Sequence, residues 1–189
     1  MTIDLGPAAA AVTTVVAGVR DDQLSAPTPC TGTPVAGILD HLAGLTLAFR
    51  MAAEKTPMDG APRASADHLP ADWRTRIPGQ LDALAAAWRE PSAWEGTASA
   101  GGVEMPAEVC AQVALDEVVV HGWDVAVATG QPYAVDDASA EAALGFVASF
   151  GDDRPPDLFG PRVPVPDDAP ALDRLLGATG RDPSWRPPG

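Results

Sequence analysis

The sequence predicts an all-α fold: a four-helix bundle in up-down-down-up order, with a short hairpin or loop insertion and a Pro-rich C-terminal tail. Three observations carry this expectation. Four long segments repeat apolar residues at helical spacing. Clusters of Pro and Gly separate them. Alternation typical of strands is weak and confined to one short Gly-rich stretch.

The first helix runs from Pro7 to about Val19, with Val12, Val15, Val16 and Val19 on one face. Asp21 to Pro29 reads as a loop. Thr33-Pro34 reads as a helix start, with Thr as N-cap and Pro at the first helical position, where no N–H is needed. The second helix then continues to about Glu54. Ile38, Leu42, Leu45 and Phe49 form its apolar face, and His41 falls on that face, pointing inward. Residues 57–70 form a polar loop containing His68, an exposed loop histidine. The third helix spans Asp72 to Arg89, with Trp73, Ile77, Leu81, Leu84 and Trp88 buried; Pro78 is expected to kink or restart it. The stretch WEGTASAGGVEM, from Trp94 to Met105, predicts a hairpin around Gly101-Gly102.

Pro106 opens the longest helix, and Gly130 ends it as a C-cap. Asp136 or Asp137 caps the next, Ala138 to about Phe150, with Ala143, Phe146, Val147 and Phe150 inward. Residues 152–189 form an irregular extension holding one helical piece, Ala171 to Ala178, and Trp185. The whole chain, 1–189, is expected to be one domain.

With 46% hydrophobic residues, the chain can bury a core despite a net charge of −14. The acidity excludes binding to nucleic acid or to an anionic membrane surface, both of which need basic patches. The apolar N-terminal run lacks a basic flank and is too short to cross a bilayer. A soluble, cytoplasmic protein is expected. Cys30 and Cys110 form no CxxC and read as small buried residues rather than a disulfide.

The chemistry concentrates in Cys110 to Gly130, CAQVALDEVVVHGWDVAVATG. Glu117 and His121 lie one helical turn apart, and Asp124 falls on the same side. Valines surround them, so the helix is apolar nearly all round and should be buried. A buried carboxylate needs a partner, and no Lys or Arg lies within this helix. A metal ion is one such partner. The competing readings are a salt-bridged Glu-x-x-x-His pair and, for His41, a hydrogen-bonded core histidine. Trp123 reads as core packing, and Arg162 and Arg174 as surface arginines.

The segments PTPCTGTPVAGILDHL, DEVVVHGWDVAVATGQPY and VPVPDDAPALDRLLGATGRDPSW together resemble the DinB-like metal-binding proteins. The resemblance is to the branch related to the metal-binding domain of mycothiol-dependent maleylpyruvate isomerase. It implies the bundle topology above and a divalent metal, usually zinc, held by a His of the second helix and a Glu and a His of the later helix. Those positions are His41, Glu117 and His121 here.

Two imidazoles and one carboxylate leave coordination positions open, as catalytic rather than structural zinc sites do. The resemblance implies that such a site holds a low-molecular-weight thiol, mycothiol or a relative, which attacks an electrophile as an S-transferase or isomerase. Zinc fits the donor set, and nickel or iron also suits it. Asp124 is the candidate catalytic residue, either touching the metal-bound water or orienting a ligand histidine. Asp40 is expected on the helix surface. A metal-binding bundle without catalysis, a metal-dependent hydrolase and a homodimer remain open alternatives.

Overall fold

A computed structural model describes residues 3–56, 64–151 and 158–188 of the chain. Four helices form the bundle: α1 (Gly6–Gly18), α2 (Val35–Ala53), α3 (Trp73–Ala87) and α4 (Ala107–Ala128). Both α1 and α2 pack against α3 and α4, so α1 and α2 stand diagonally across the ring. The expected faces are inside. Val12, Val16, Ile38, Leu42, Ile77, Leu81 and Leu84 are essentially without exposure. Each such side chain contributes about 1.5–3 kcal/mol relative to remaining in water. The rotational setting of α2, and hence of His41 between Ile38 and Leu42, is therefore strongly fixed.

By length and a mean hydropathy of 1.3, α2 has the makings of a membrane span, but 67% of it is buried inside the bundle. Its apolar face meets α3 and α4 rather than lipid.

The start of α2 differs from expectation. Pro34, not Thr33, is the N-cap residue, and no side chain caps the helix. Pro34 pairs with Pro27 in an isolated bridge that keeps it extended, which moves the first helical residue to Val35. The Thr33 carbonyl is held instead by the Thr28 hydroxyl, which donates to it at 2.7 Å. Nor does Pro78 restart α3. The helix is continuous, anchored on both sides of the proline by buried Ile77 and Leu81. The first half of the 57–70 loop lies outside the described residues. Its second half contains a 3₁₀ turn, Ala66–His68, with His68 exposed as expected.

The expected hairpin is present as β1 (Thr97–Ala100) and β2 (Val103–Pro106), antiparallel, with Ala98 opposite Met105. Gly101 and Gly102 supply the two positive φ angles, 60° and 82°, of its two-residue turn. Lys55, the chain's only lysine, ties this hairpin to α2. Its ammonium donates to the carbonyls of Ala93, Glu95 and Thr97 at 2.9, 2.8 and 3.1 Å.

Gly130, with φ 69°, terminates α4: its N–H and that of Gln131 donate back to Val127 and Ala126. Next comes α5 (Asp137–Ala148), where Asp136 is the cap and its carboxylate accepts from Ser139 N–H. The extension carries α6 (Ala171–Thr179), which packs on α5. Trp185 packs against the core as a partly buried residue.

Candidate metal centre

The seam between α2 and α4 brings together the three residues named as ligands. His41 comes from α2, and Glu117 and His121 come from successive turns of α4. His41 Nε2 lies 3.0 Å from Glu117 Oε2. His121 Nε2 lies 3.2 Å from the same oxygen. The imidazole rings meet edge to face, with centroids 4.7 Å apart. One ligand atom from each residue can be chosen so that all three lie within 4.8 Å of one another.

The cluster is not sealed. The side chains of His41, Glu117 and His121 are 38%, 28% and 12% exposed. His41 is thus half-open to solvent rather than fully inward as its helical position predicts. Of the three, the His41 side chain on α2 is the most open to solvent. Two clefts, of about 440 and 550 Å³, lie elsewhere, one along the extension and one near Trp73. Neither is lined by any of the three residues, so donor chemistry rather than concavity singles out this site.

Behind His121, Asp124 Oδ2 accepts the ring Nδ1–H at 2.9 Å. Asp124 has no exposed surface. Its charge is met by a residue the sequence did not single out. Arg181, just beyond α6, donates from Nη2 to Asp124 Oδ2 at 3.1 Å, with Nε 3.5 Å from Oδ1. Asp40, expected on the helix surface, instead accepts the Ser65 backbone N–H at 2.9 Å and pins the following loop to α2.

The electrostatics follow from these contacts. Burial would raise the Glu117 carboxyl, but hydrogen bonds from His121 and His41 outweigh it and hold the group well below the usual carboxylate range. Burial disfavours a charged His121, yet hydrogen bonds to Asp124 and Glu117 push it up to about 10. Both imidazole Nε2 atoms face one Glu117 oxygen, and the two acids that flank His121 favour its protonated form. Burial, reinforced by the adjacent Glu117 charge, pushes Asp116 up to about 7. Asp116 Oδ1 is buried with no hydrogen-bond partner among the described residues. Both cysteines are free thiols, and burial pushes Cys110 up to about 11, which leaves it unreactive at neutral pH.

Gly122, beside His121, has its own reason. A Cβ there would sit 2.5 Å from Val12 Cγ2 and 2.7 Å from the Tyr133 hydroxyl. That hydroxyl donates to the Val119 carbonyl at 3.0 Å, which locks the post-helix chain onto α4.

Fold and cluster together define an all-α, DinB-like bundle with a candidate two-histidine, one-carboxylate metal centre. The chain belongs to the mycothiol maleylpyruvate isomerase N-terminal domain family, whose model matches residues 5–126. That span includes His41, Glu117, His121 and Asp124; Arg181 lies beyond it. Two curated Mycobacterium tuberculosis proteins, from strains CDC 1551 and H37Rv and both described as uncharacterized, are each 30% identical over 174 residues. The alignments cover 88% of this chain and 90% of each relative. No solved structure matches the chain.

Proposed function

We propose that the protein binds one divalent cation, most readily zinc, through His41, Glu117 and His121, and acts as a metal-dependent thiol S-transferase or isomerase. The observation that carries this reading is the convergence of two imidazole nitrogens on one carboxylate oxygen, at 3.0 and 3.2 Å. Ligands of a tetrahedral zinc, each about 2.0–2.1 Å from the metal, stand roughly 3.3 Å apart. Both imidazole nitrogens already stand near that spacing from the Glu117 oxygen, and the trio as a whole lies within 4.8 Å.

A cation held there would keep a substrate thiol deprotonated and nucleophilic at neutral pH. The protein's own residues do the rest. Glu117 offsets part of the positive charge, which favours a labile substrate over a tightly trapped anion. Asp124 orients His121 and fixes its Nε2 toward the centre. The partly exposed His41 edge is where a thiol and its electrophile would approach. The family name supports mycothiol as the thiol class. The cytoplasm, where such thiols stay reduced, is the compartment this chemistry requires.

The test is a thiol panel of mycothiol, bacillithiol and glutathione, offered with a haloarene electrophile to zinc-loaded protein. Thiol consumption by the wild type, abolished in His121→Ala, supports the reading. Stoichiometric metal with no turnover would instead identify a non-catalytic metal-binding bundle. Ester hydrolysis without any thiol would identify a hydrolase.

A further inference from the structure

We propose that Arg181 is a positioning residue for this centre. By holding Asp124, it aims His121 Nε2 at Glu117 and His41 and so sets the affinity for the cation. The inference rests on the metal-site reading above and assigns a task to the C-terminal extension.

Asp124 is wholly buried, so bulk solvent does not reach its charge, which needs partners from the protein. Two groups face it, and both reach the same oxygen. His121 Nδ1 lies 2.9 Å from Oδ2, and Arg181 Nη2 lies 3.1 Å from it. Moving the guanidinium therefore moves the acceptor on which the His121 ring is hung. A ligand histidine keeps its second nitrogen on a fixed acceptor to hold ring orientation and tautomer. Here that acceptor is itself held by a planar fork, which a lysine ammonium cannot reproduce.

Arg181 is itself delivered by a rigid device. Gly180 closes α6 in the left-handed conformation, φ 90°. The Arg181 N–H donates to the Leu176 carbonyl at 2.8 Å, and the Gly180 N–H donates to Gly177 at 3.2 Å. Arg181 Nη1 donates to Thr179 O at 3.3 Å, and its side chain is only 15% exposed. A Cβ on Gly180 would sit 2.7 Å from Gly160 Cα, so the cap is wedged against the chain entering the extension. The path from extension to metal ligand is thus short and stiff: Gly180 cap, Arg181 guanidinium, Asp124 carboxylate, His121 imidazole.

The experiment titrates full-length, metal-free protein with zinc against a chelating competitor, for wild type, Arg181→Gln, Arg181→Lys, Asp124→Asn and the double variant. Arg181→Gln is expected to weaken zinc binding 10–100-fold, with Arg181→Lys intermediate. The double variant should be no weaker than Asp124→Asn alone, because Arg181 acts through Asp124. The second readout is the hydrogen-bonded Nδ1–H resonance of His121 by NMR, with and without zinc. It should be resolved in wild type and lost to solvent exchange in Arg181→Gln. Zinc affinity within about twofold of wild type in a folded Arg181→Gln, with the resonance unchanged, overturns the proposal. Should Arg181→Gln fail to fold, Arg181→Lys decides by the same two readouts. A wild type that binds no zinc sinks the metal-site reading, whereas the metal-free resonance still judges Arg181.

Discussion

His41 and Glu117, 76 residues apart in sequence, meet at 3.0 Å across the α2–α4 seam. Neither side chain has a reason to leave water on its own account. Their meeting is imposed by the packing of Ile38, Leu42, Val118 and Val120, and it places an imidazole against an acid that already faces a second imidazole.

Proton linkage gives the first prediction. In the metal-free protein His121 is raised from 6.5 to about 10, so at pH 7 it carries a proton that a cation must displace. Zinc binding at pH 7 should release at least about one proton per ion, and affinity should rise with pH. Calorimetry in buffers of different ionisation enthalpy reads this directly; zero net release would contradict it.

The same groups predict how metal-free stability varies with pH. The contribution of the raised His121 is fully present below 6.5 and is lost as pH rises through about 10. The contribution of the depressed Glu117 is present above 4.5 and is lost as pH falls through its lower folded value. Denaturant unfolding should therefore show a plateau between about pH 4.5 and 6.5, declining on either side. Glu117→Gln should flatten both limbs, since it removes the acid and one of the two carboxylates holding the imidazolium.

Gly122→Ala should destabilise the fold by about 1–3 kcal/mol, as overpacked core sites do. The added methyl meets Val12 and the Tyr133 hydroxyl, leaving no free space on that face of α4. Equilibrium urea unfolding measures it, and a change below about 0.5 kcal/mol would show that α1 and Tyr133 yield more readily than their packing implies.

Lys55→Met should cost about 1 kcal/mol, because three carbonyls lose a charged donor at a partly wet site. The loss should concentrate in the hairpin, where hydrogen exchange of the β1 amides is expected to accelerate while that of α4 does not. Uniform acceleration throughout would instead mean that Lys55 supports the bundle globally.

Much of this was legible in the chain because it is periodic. Helical spacing put Ile38, Leu42 and Leu45 on one face and Glu117 over His121, and the Gly101-Gly102 pair marked the hairpin turn. The family resemblance joined His41 to the other two. What periodicity could not carry was contact through irregular chain. Arg181 meets Asp124 across 57 residues, by way of a loop and a glycine cap, and no local pattern announces such a pairing. The absence of Lys or Arg from α4 spoke only for α4 itself, since the counter-charge arrives from the extension. The partner of Asp40 was hidden for a similar reason: it is a backbone N–H of a following loop. The exposure of His41 also escaped, because a helical wheel reports which side a residue faces but not how far the neighbouring helix extends to cover it.

Elemental analysis of purified protein tests the central claim most directly, with wild type beside His41→Ala, Glu117→Ala and His121→Ala. About one divalent ion per wild-type chain, with most of it lost from each variant while helical content persists, is the predicted result. Variants that keep the full wild-type metal content would contradict the assignment of the centre to these three residues.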